Sequence, residues 1–519
     1  MKRDFSALNG EFDLLVCGGG IYGAWTAYDA VLRGLRVALV EQGDWASGTS
    51  SASSKLIHGG LRYLETFDFK LVRKALKERK MLLQVAPHRV WPLRFGVPVY
   101  THSRNGTIKL KAGLTLYDAL AGFPQEQMRH SHLDHAHFSE HFPFLDDASL
   151  KGGFTYGDAQ TDDARLVLEL VAGAMAHGAV CVNYAKVISW REDRGHVCGT
   201  TVRDGVSGAT LQVRARQYVS TAGQWQTATS PVRAWCRLSK GIHLVLPALK
   251  TNEALLLTTK EDGRVFFILP WYGRTLLGTT DTDYQGDIDN VAVEDNDVDY
   301  LLAAANCYLK TEWKKQDVIG SYAGIRVMKQ SENTSPSAVS RDWELKTASN
   351  RLHFAIGGKL TSAREDAAVI VDAVCAHLGV SNTCATNGRA FPWKPTQNFS
   401  VWSKEANGHA QRLGIDAECA GWLLRRYGTR AEYVLDIVEQ QPHLGARIVS
   451  DLPFIYADLL VSARDEMVVH LSDLLRRRMP LLILARLSGA QLRDLAIIIA
   501  PVLYWDANRI EQEVAACTQ

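Results

Sequence analysis

The sequence predicts an α/β protein in which a dinucleotide-binding core is followed by a helical domain. Three observations carry this expectation. Residues 12–41 place a glycine cluster between an apolar run and a helix-patterned stretch, with a second apolar run behind it. Alternating, strand-like segments such as VRARQYVSTAG and RVFFILP recur through the middle of the chain. Past the Pro-, Gly- and polar-rich stretch GRAFPWKPTQNFS (388–400) the pattern becomes almost wholly helical, rich in Leu, Ala and Arg.

In chain order, FDLLVC reads as the first strand, AWTAYDAVLRG as a helix with Gly34 as its C-cap, and RVALVE as the second strand. This βαβ unit holds Gly18, Gly20 and Gly23 in G-x-G-x-x-G spacing. Gly18 permits the tight turn, Gly20 lets a pyrophosphate approach the backbone at the helix N-terminus, and Gly23 lets helix and strand pack closely. Glu41 ends the second strand, where its carboxylate can accept both hydroxyls of an adenosine ribose and repel a 2′-phosphate. A glycine-rich turn that binds nothing is the plain alternative, and the complete order of strand, helix, strand and acid weighs against it. A Ser/Thr-rich loop, Ser47–Ser54, comes next, and Lys70–Leu83 has helical periodicity with a basic outer face. The domains expected are 1–390, with a substrate part at roughly 85–150 and 238–330 interleaved with the dinucleotide part, and 391–519.

The bulk numbers exclude several classes. At 519 residues the chain exceeds one core of about 100–200 residues. A composition 46% hydrophobic and 22% charged, without a low-complexity tract, argues against long disorder. A net charge of +2 is too small for a nucleic-acid binder. The nine cysteines show no CxxC and no zinc-like Cys/His spacing, so they read as reduced thiols, mostly buried, and no metal is expected. MKRDFSALNGEF is too polar for a signal peptide, and no apolar run reaches the ~18 residues that span a bilayer. Peripheral membrane attachment stays open.

Three later segments bear on the identity of the dinucleotide: GDWASGTSSASSKLIHGGLRYLE after Glu41, STAGQW at Ser220–Trp225, and AIGGKLTSARE at Ala355–Glu365. With GDAQTDDARLV, KGIHLVLP, LPWYGRTLLGTTDTDY, YAGIRV and SRDW in the same order, they resemble the FAD-dependent glycerol-3-phosphate dehydrogenases over about residues 12–366. The helical remainder is similar to that family's cap domain more loosely. The resemblance implies an FAD-binding Rossmann-like domain of the glutathione-reductase and D-amino-acid-oxidase type, a substrate domain built on an antiparallel sheet, and a C-terminal helical cap. It implies oxidation of sn-glycerol 3-phosphate to dihydroxyacetone phosphate by hydride transfer to flavin, with electrons passed to quinone. It also implies a cytoplasmic protein held peripherally on the inner face of the cytoplasmic membrane, and it leaves a homodimer open. No second glycine fingerprint exists, so nicotinamide is not the expected acceptor.

The same resemblance implies roles for single residues. Arg62, Tyr63 and Arg341 would gather at the substrate phosphate, since guanidinium offers fork-shaped donors to phosphate oxygens. His243, Arg326 and Lys359 would be catalytic. His243 is the better base on chemistry alone, because an arginine stays protonated and more readily stabilises a developing alkoxide. Gly358, Lys359, Leu360 and Thr361 would present a helix start to flavin N1 and O2, with Ser50, Ser53, Ser54, His58 and Gly223 bordering the cofactor. The plain readings are a core histidine, ion-paired surface arginines and solvated loop serines. Asp162, Asp163 and Arg165 read as an N-cap with a nearby ion pair. Arg476, Arg477 and Arg478 read as a solvated basic helix face, with contact to anionic lipid as the rival. The chain departs from the family at Tyr22 (usually Asn), Trp25 (usually Gly) and Val327 (usually Pro). These departures leave open a different polyol phosphate, such as erythritol phosphate, or oxygen as acceptor. An amine or amino-acid oxidase, or a flavin-binding protein without turnover, are the readings from other classes.

Overall fold

The computed structural model describes residues 1–228, 232–330 and 343–518. Its first unit is β1 (Glu11–Cys17), α1 (Ile21–Leu32) and β2 (Val37–Val40). The helix starts three residues before the expected Ala24, directly after Gly20, and ends at Leu32; Arg33 rather than Gly34 is its C-cap, and Gly34 follows in the left-handed region (φ +87°). Ala24, Ala27 and Ala30 keep α1 slim, and it packs between the helices Asp163–Ala176 and Ala363–Leu378.

Around β1 a sheet forms in the order Trp343–Thr347, His353–Gly357, Thr210–Ser220, β1, β2, Val180–Val182. Its inner pairs are parallel, with Cys17 opposite Ser220 on one side and Val40 on the other, so the strand C-termini and the glycine turn share one edge. That edge is where a doubly wound sheet binds its ligand.

The second sheet is mostly antiparallel, as expected, with one parallel pair where Ala254–Thr258 meets Val90–Tyr100. The strand Leu150–Thr161 lies next to one end of it, paired with Val90–Tyr100 along nearly its whole length. The strand Cys236–Pro247 lies between Arg274–Gly278 and Gly320–Lys329 and sets His243 opposite Gly278 on one side and Tyr322 on the other.

The helix α2 (Phe69–Val85) forms with Asp68 as its N-cap, but its basic face is not wholly outward. Arg79 is buried against Asp158, and Lys74 reaches inward to Asp366. The reason is that buried carboxylates on neighbouring elements need cations. The nine cysteines are free thiols, and four of them are buried, fewer than the expected majority.

From Phe399 onward the described chain is helical. These helices dock through buried ion pairs: Arg165 on Glu466 at 2.5 Å, Arg426 on Asp458 at 2.5 Å, and Arg478 on Asp44 at 2.6 Å. Here the structure corrects the sequence reading of the arginine run. Arg477 and Arg478 face neither solvent nor lipid: both hold Asp44, in the turn after β2, and only Arg476 is exposed. Asp162 does cap its helix, accepting the Arg165 N–H at 3.2 Å, and Asp163 pairs with Lys55 at 2.7 Å.

Candidate active site

A cavity of about 630 Å³ opens along the shared sheet edge and runs into the second sheet. It is within the size range of cofactor pockets. Gly18, Gly20, Glu41, Ser50, Ser53, Ser54, His58, Gly223, Gly358, Lys359, Leu360 and Thr361 all line it. So do His243, Arg326 and Tyr63. Gly23 stands behind the wall, where a Cβ would lie 1.8 Å from the Gly18 carbonyl oxygen. Arg62 shares a turn with Tyr63 but is half-buried off the cavity wall. Arg341 lies outside the described residues.

At the nucleotide end, Gly18 has φ +113° and a Cβ there would meet the Thr221 and Ala222 backbone at 2.8 Å, so only glycine fits the turn. Gly20 caps α1 without a side chain, and the Ile21 N–H donates to Ser50 Oγ at 2.9 Å. The Glu41 carboxylate accepts the N–H of Gly19 at 2.6 Å and of Gly43 at 2.8 Å. Burial pushes this carboxyl up, and the two N–H groups pull it back. Fixed in that way, it keeps lone pairs for a diol. Gln224 and Trp225 tie a loop across this end, donating to the Ile288 carbonyl at 2.9 Å and to Asp289 at 2.6 Å.

At the other end, Ser54 Oγ and His243 Nε2 are 2.9 Å apart. The His243 ring stacks on Tyr322 with centroids 4.9 Å apart, and Tyr322 donates its hydroxyl to the Ser53 carbonyl at 2.8 Å. Lys55 Nζ lies 4.9 Å from the same tyrosine ring and donates to Asp163 and to the Ser51 carbonyl. His243 is buried, and its Nδ1 has no hydrogen-bond partner among the described residues. Burial, then Arg326, then Lys55 hold its pKa well below the usual histidine value. Arg326 donates to Thr279 Oγ1 at 2.8 Å and to the Thr280 carbonyl at 3.1 Å. Lys359 Nζ sits over the Tyr63 ring at 3.6 Å.

Three of the loop serines, half-buried, are therefore committed to partners within the protein. Ser50 caps α1, Ser53 donates to Asp163 at 2.7 Å, and Ser54 holds His243. Several members of the site had no sequence signal of their own. Gly278 and Gly241 are the clearest: a Cβ on Gly278 would lie 2.2 Å from the His243 ring, and one on Gly241 would lie 2.3 Å from the Arg326 guanidinium. Lys55 and Tyr322 stood inside the SSASSK and YAGIRV segments, which flagged the neighbourhood but not the residues.

The glycine cradle, the fixed Glu41 and the helix-start loop at 357–362 fit a flavin adenine dinucleotide. They define the class as a flavoprotein oxidoreductase. A family model described as "FAD dependent oxidoreductase" matches residues 13–361, and one described as "C-terminal domain of alpha-glycerophosphate oxidase" matches residues 396–510. A glycerol-3-phosphate dehydrogenase of Synechocystis is 35% identical over 503 residues, covering 92% of this chain and 90% of that protein. A D-erythritol 1-phosphate dehydrogenase of Brucella abortus is 41% identical over 363 residues, covering 68% and 71%. The structure of a Bacillus halodurans glycerol-3-phosphate dehydrogenase, solved with FAD, superposes with a TM-score of 0.80 at 30% identity, covering 99% of this chain and 95% of that one. The chain belongs to the FAD-dependent glycerol-3-phosphate dehydrogenase family.

Proposed function

We propose that this protein oxidises sn-glycerol 3-phosphate to dihydroxyacetone phosphate and passes the electrons to a quinone. The observation that carries the reading is the meeting of a buried neutral imidazole, His243, and a fixed guanidinium, Arg326, on the wall of the cavity that the cofactor loops also line. FAD, held by the glycine turn, Glu41 and the loop at 357–362, would supply the hydride acceptor for the carbinol carbon. His243 takes the hydroxyl proton, because a ring kept neutral by burial and by two neighbouring cations carries a free lone pair. Arg326 remains protonated and stabilises the oxygen as charge develops on it. Tyr63 and Lys359, stacked at 3.6 Å, border the site, and Lys359 adds a cation beside the loop at 357–361. Arg326 on the cavity wall and Arg341 would supply the charge that a phosphate dianion needs, with Arg62 next to the wall residue Tyr63 as a third cation, and each hydrogen bond to the dianion is worth about 1.5–3 kcal/mol.

A longer polyol phosphate is the second reading, and the 41% identity to the erythritol phosphate enzyme favours it over an amine or amino-acid substrate. Turnover of glycerol 3-phosphate, erythritol phosphates, glycerol and amino acids with a soluble quinone separates these readings. The highest kcat/KM should fall on glycerol 3-phosphate, and a preference for an amino acid would refute the phosphate site.

Quinone as acceptor implies work at a membrane surface. No helix among the described residues is long and apolar enough to cross a membrane. An exposed apolar group supports peripheral contact instead: Phe67 and Phe69 pack together beside the helix Thr107–Leu120, which exposes Ile108 next to Lys109 and Lys111. Detergent, rather than salt, should release the protein from sedimented cytoplasmic membranes. A protein wholly in the supernatant, with full activity towards oxygen, would refute this part of the reading.

A further inference from the structure

One polar cluster beside the cavity is not used by the chemistry above. It centres on Tyr22, the residue that stands where the resembling family usually has asparagine. Tyr22 is the second residue of α1, and its ring lines the cavity. Its hydroxyl donates to Asp366 Oδ2 at 2.6 Å and accepts the backbone N–H of Lys359 at 3.2 Å. Asp366, on the first turn of the helix Ala363–Leu378, also accepts from Ser362 Oγ at 3.0 Å and from Lys74 of α2. Asp366 is buried, whereas Lys74 reaches partial exposure. The fit is close: Gly358 has φ +103°, and a Cβ there would lie 1.7 Å from the Tyr22 oxygen. The tyrosine thus bridges the nucleotide-binding helix start and the loop expected at the flavin's pyrimidine edge.

We propose that Tyr22 is a positioning residue that commits the Lys359 N–H to itself, lowering the flavin's affinity for electrons. Negative charge builds on the pyrimidine edge when a flavin is reduced, and donors aimed there favour the reduced state. The Tyr22 hydroxyl acts against that: held in place by Asp366, whose charge Lys74 balances, it occupies one backbone donor of the loop. The loss of that donor favours release of electrons to the acceptor over their retention. Asparagine at this position has no hydroxyl at the end of a ring, so it cannot stand between Lys359 and Asp366 in the same way.

The proposal rests on the flavin reading of the cavity, and its test separates the two. The midpoint potential of the bound flavin is measured in the holoenzyme by anaerobic equilibration with reference dyes, and the FAD dissociation constant is measured on the same preparations. Tyr22→Phe removes only the hydroxyl. It should shift the oxidised-to-reduced equilibrium about tenfold towards the reduced form, a rise of about 30 mV for a two-electron couple. FAD affinity should change by less than that factor. Tyr22→Asn should shift the potential in the same direction and serves if the phenylalanine variant does not fold. An unchanged or lowered potential overturns the proposal, and so does a loss of FAD affinity without a change in potential, which would make Tyr22 a mere prop. A parent protein that binds no FAD overturns the flavin reading and this proposal with it.

Discussion

At the scale of single residues, the proposed chemistry turns on keeping His243 neutral and Arg326 fixed. His243→Gln removes the base and leaves the cofactor end untouched, so kcat should fall by about 10²–10⁴-fold while the flavin stays bound. The wild-type kcat should stay level as pH falls through 6.5, the unperturbed histidine value, because burial and the cations Arg326 and Lys55 hold the folded ring's pKa well below it. A kcat that halves near 6.5 would assign the proton transfer to another group. The glycines opposite these side chains offer a second test. Gly278→Ala places a Cβ 2.2 Å from the His243 ring, so the imidazole must move. Overpacking of this kind costs about 1–3 kcal/mol, and turnover should be lost with FAD retained. Full activity in that variant would show that His243 is not held in place by its neighbour. His243 and Arg326 were legible because their segments match a family in order. Gly278 and Gly241 were not, because what makes each necessary is a side chain across a strand pair, and register is set by the whole sheet.

At the scale of elements, the strand–turn–helix from β1 to α1 was the most legible part of the chain. Its signals are local: the glycines act on their own turn, and Glu41 follows one helix later. The structure adds that the N–H groups of Gly19 and Gly43 hold Glu41. Glu41→Gln keeps the shape and removes the charge, and hydrogen bonds to a charged group are worth about 1.5–3 kcal/mol. FAD affinity should therefore drop by roughly tenfold or more, as read by fluorescence during reconstitution of the apoprotein. An unchanged affinity would move the ribose elsewhere. The Ser-rich loop was legible only as a loop. Composition does not reveal that Ser53 and Ser54 are committed to Asp163 and His243, because both partners are distant in sequence.

At the scale of the whole molecule, the helical domain is tied to the nucleotide-binding core by buried charges. Arg477 and Arg478 hold Asp44, three residues past Glu41, and Arg165 holds Glu466. The sequence showed the arginines but not their acidic partners, so they read as a solvated face. Burial alone would raise Asp44 and Glu466, but the arginines outweigh it and hold both at about 2. For a carboxylate lowered in the folded state, the stability it contributes is complete above its unfolded value and drains as pH falls towards the folded one. Proteolysis of residues 399–518 should therefore rise steeply below about pH 4.5. Replacing Arg477 and Arg478 together by Met strands Asp44 in the interior, a loss of about 3–5 kcal/mol, and should cost FAD retention although both residues are far along the chain from the fingerprint. All of this architecture serves to present a polyol phosphate to the flavin. The most direct test is to mix the holoenzyme with glycerol 3-phosphate or with glycerol, without oxygen, and to follow bleaching of the flavin absorbance. Glycerol 3-phosphate should bleach the flavin fully at concentrations where glycerol does not. Equal bleaching by both, or by neither, would contradict the account.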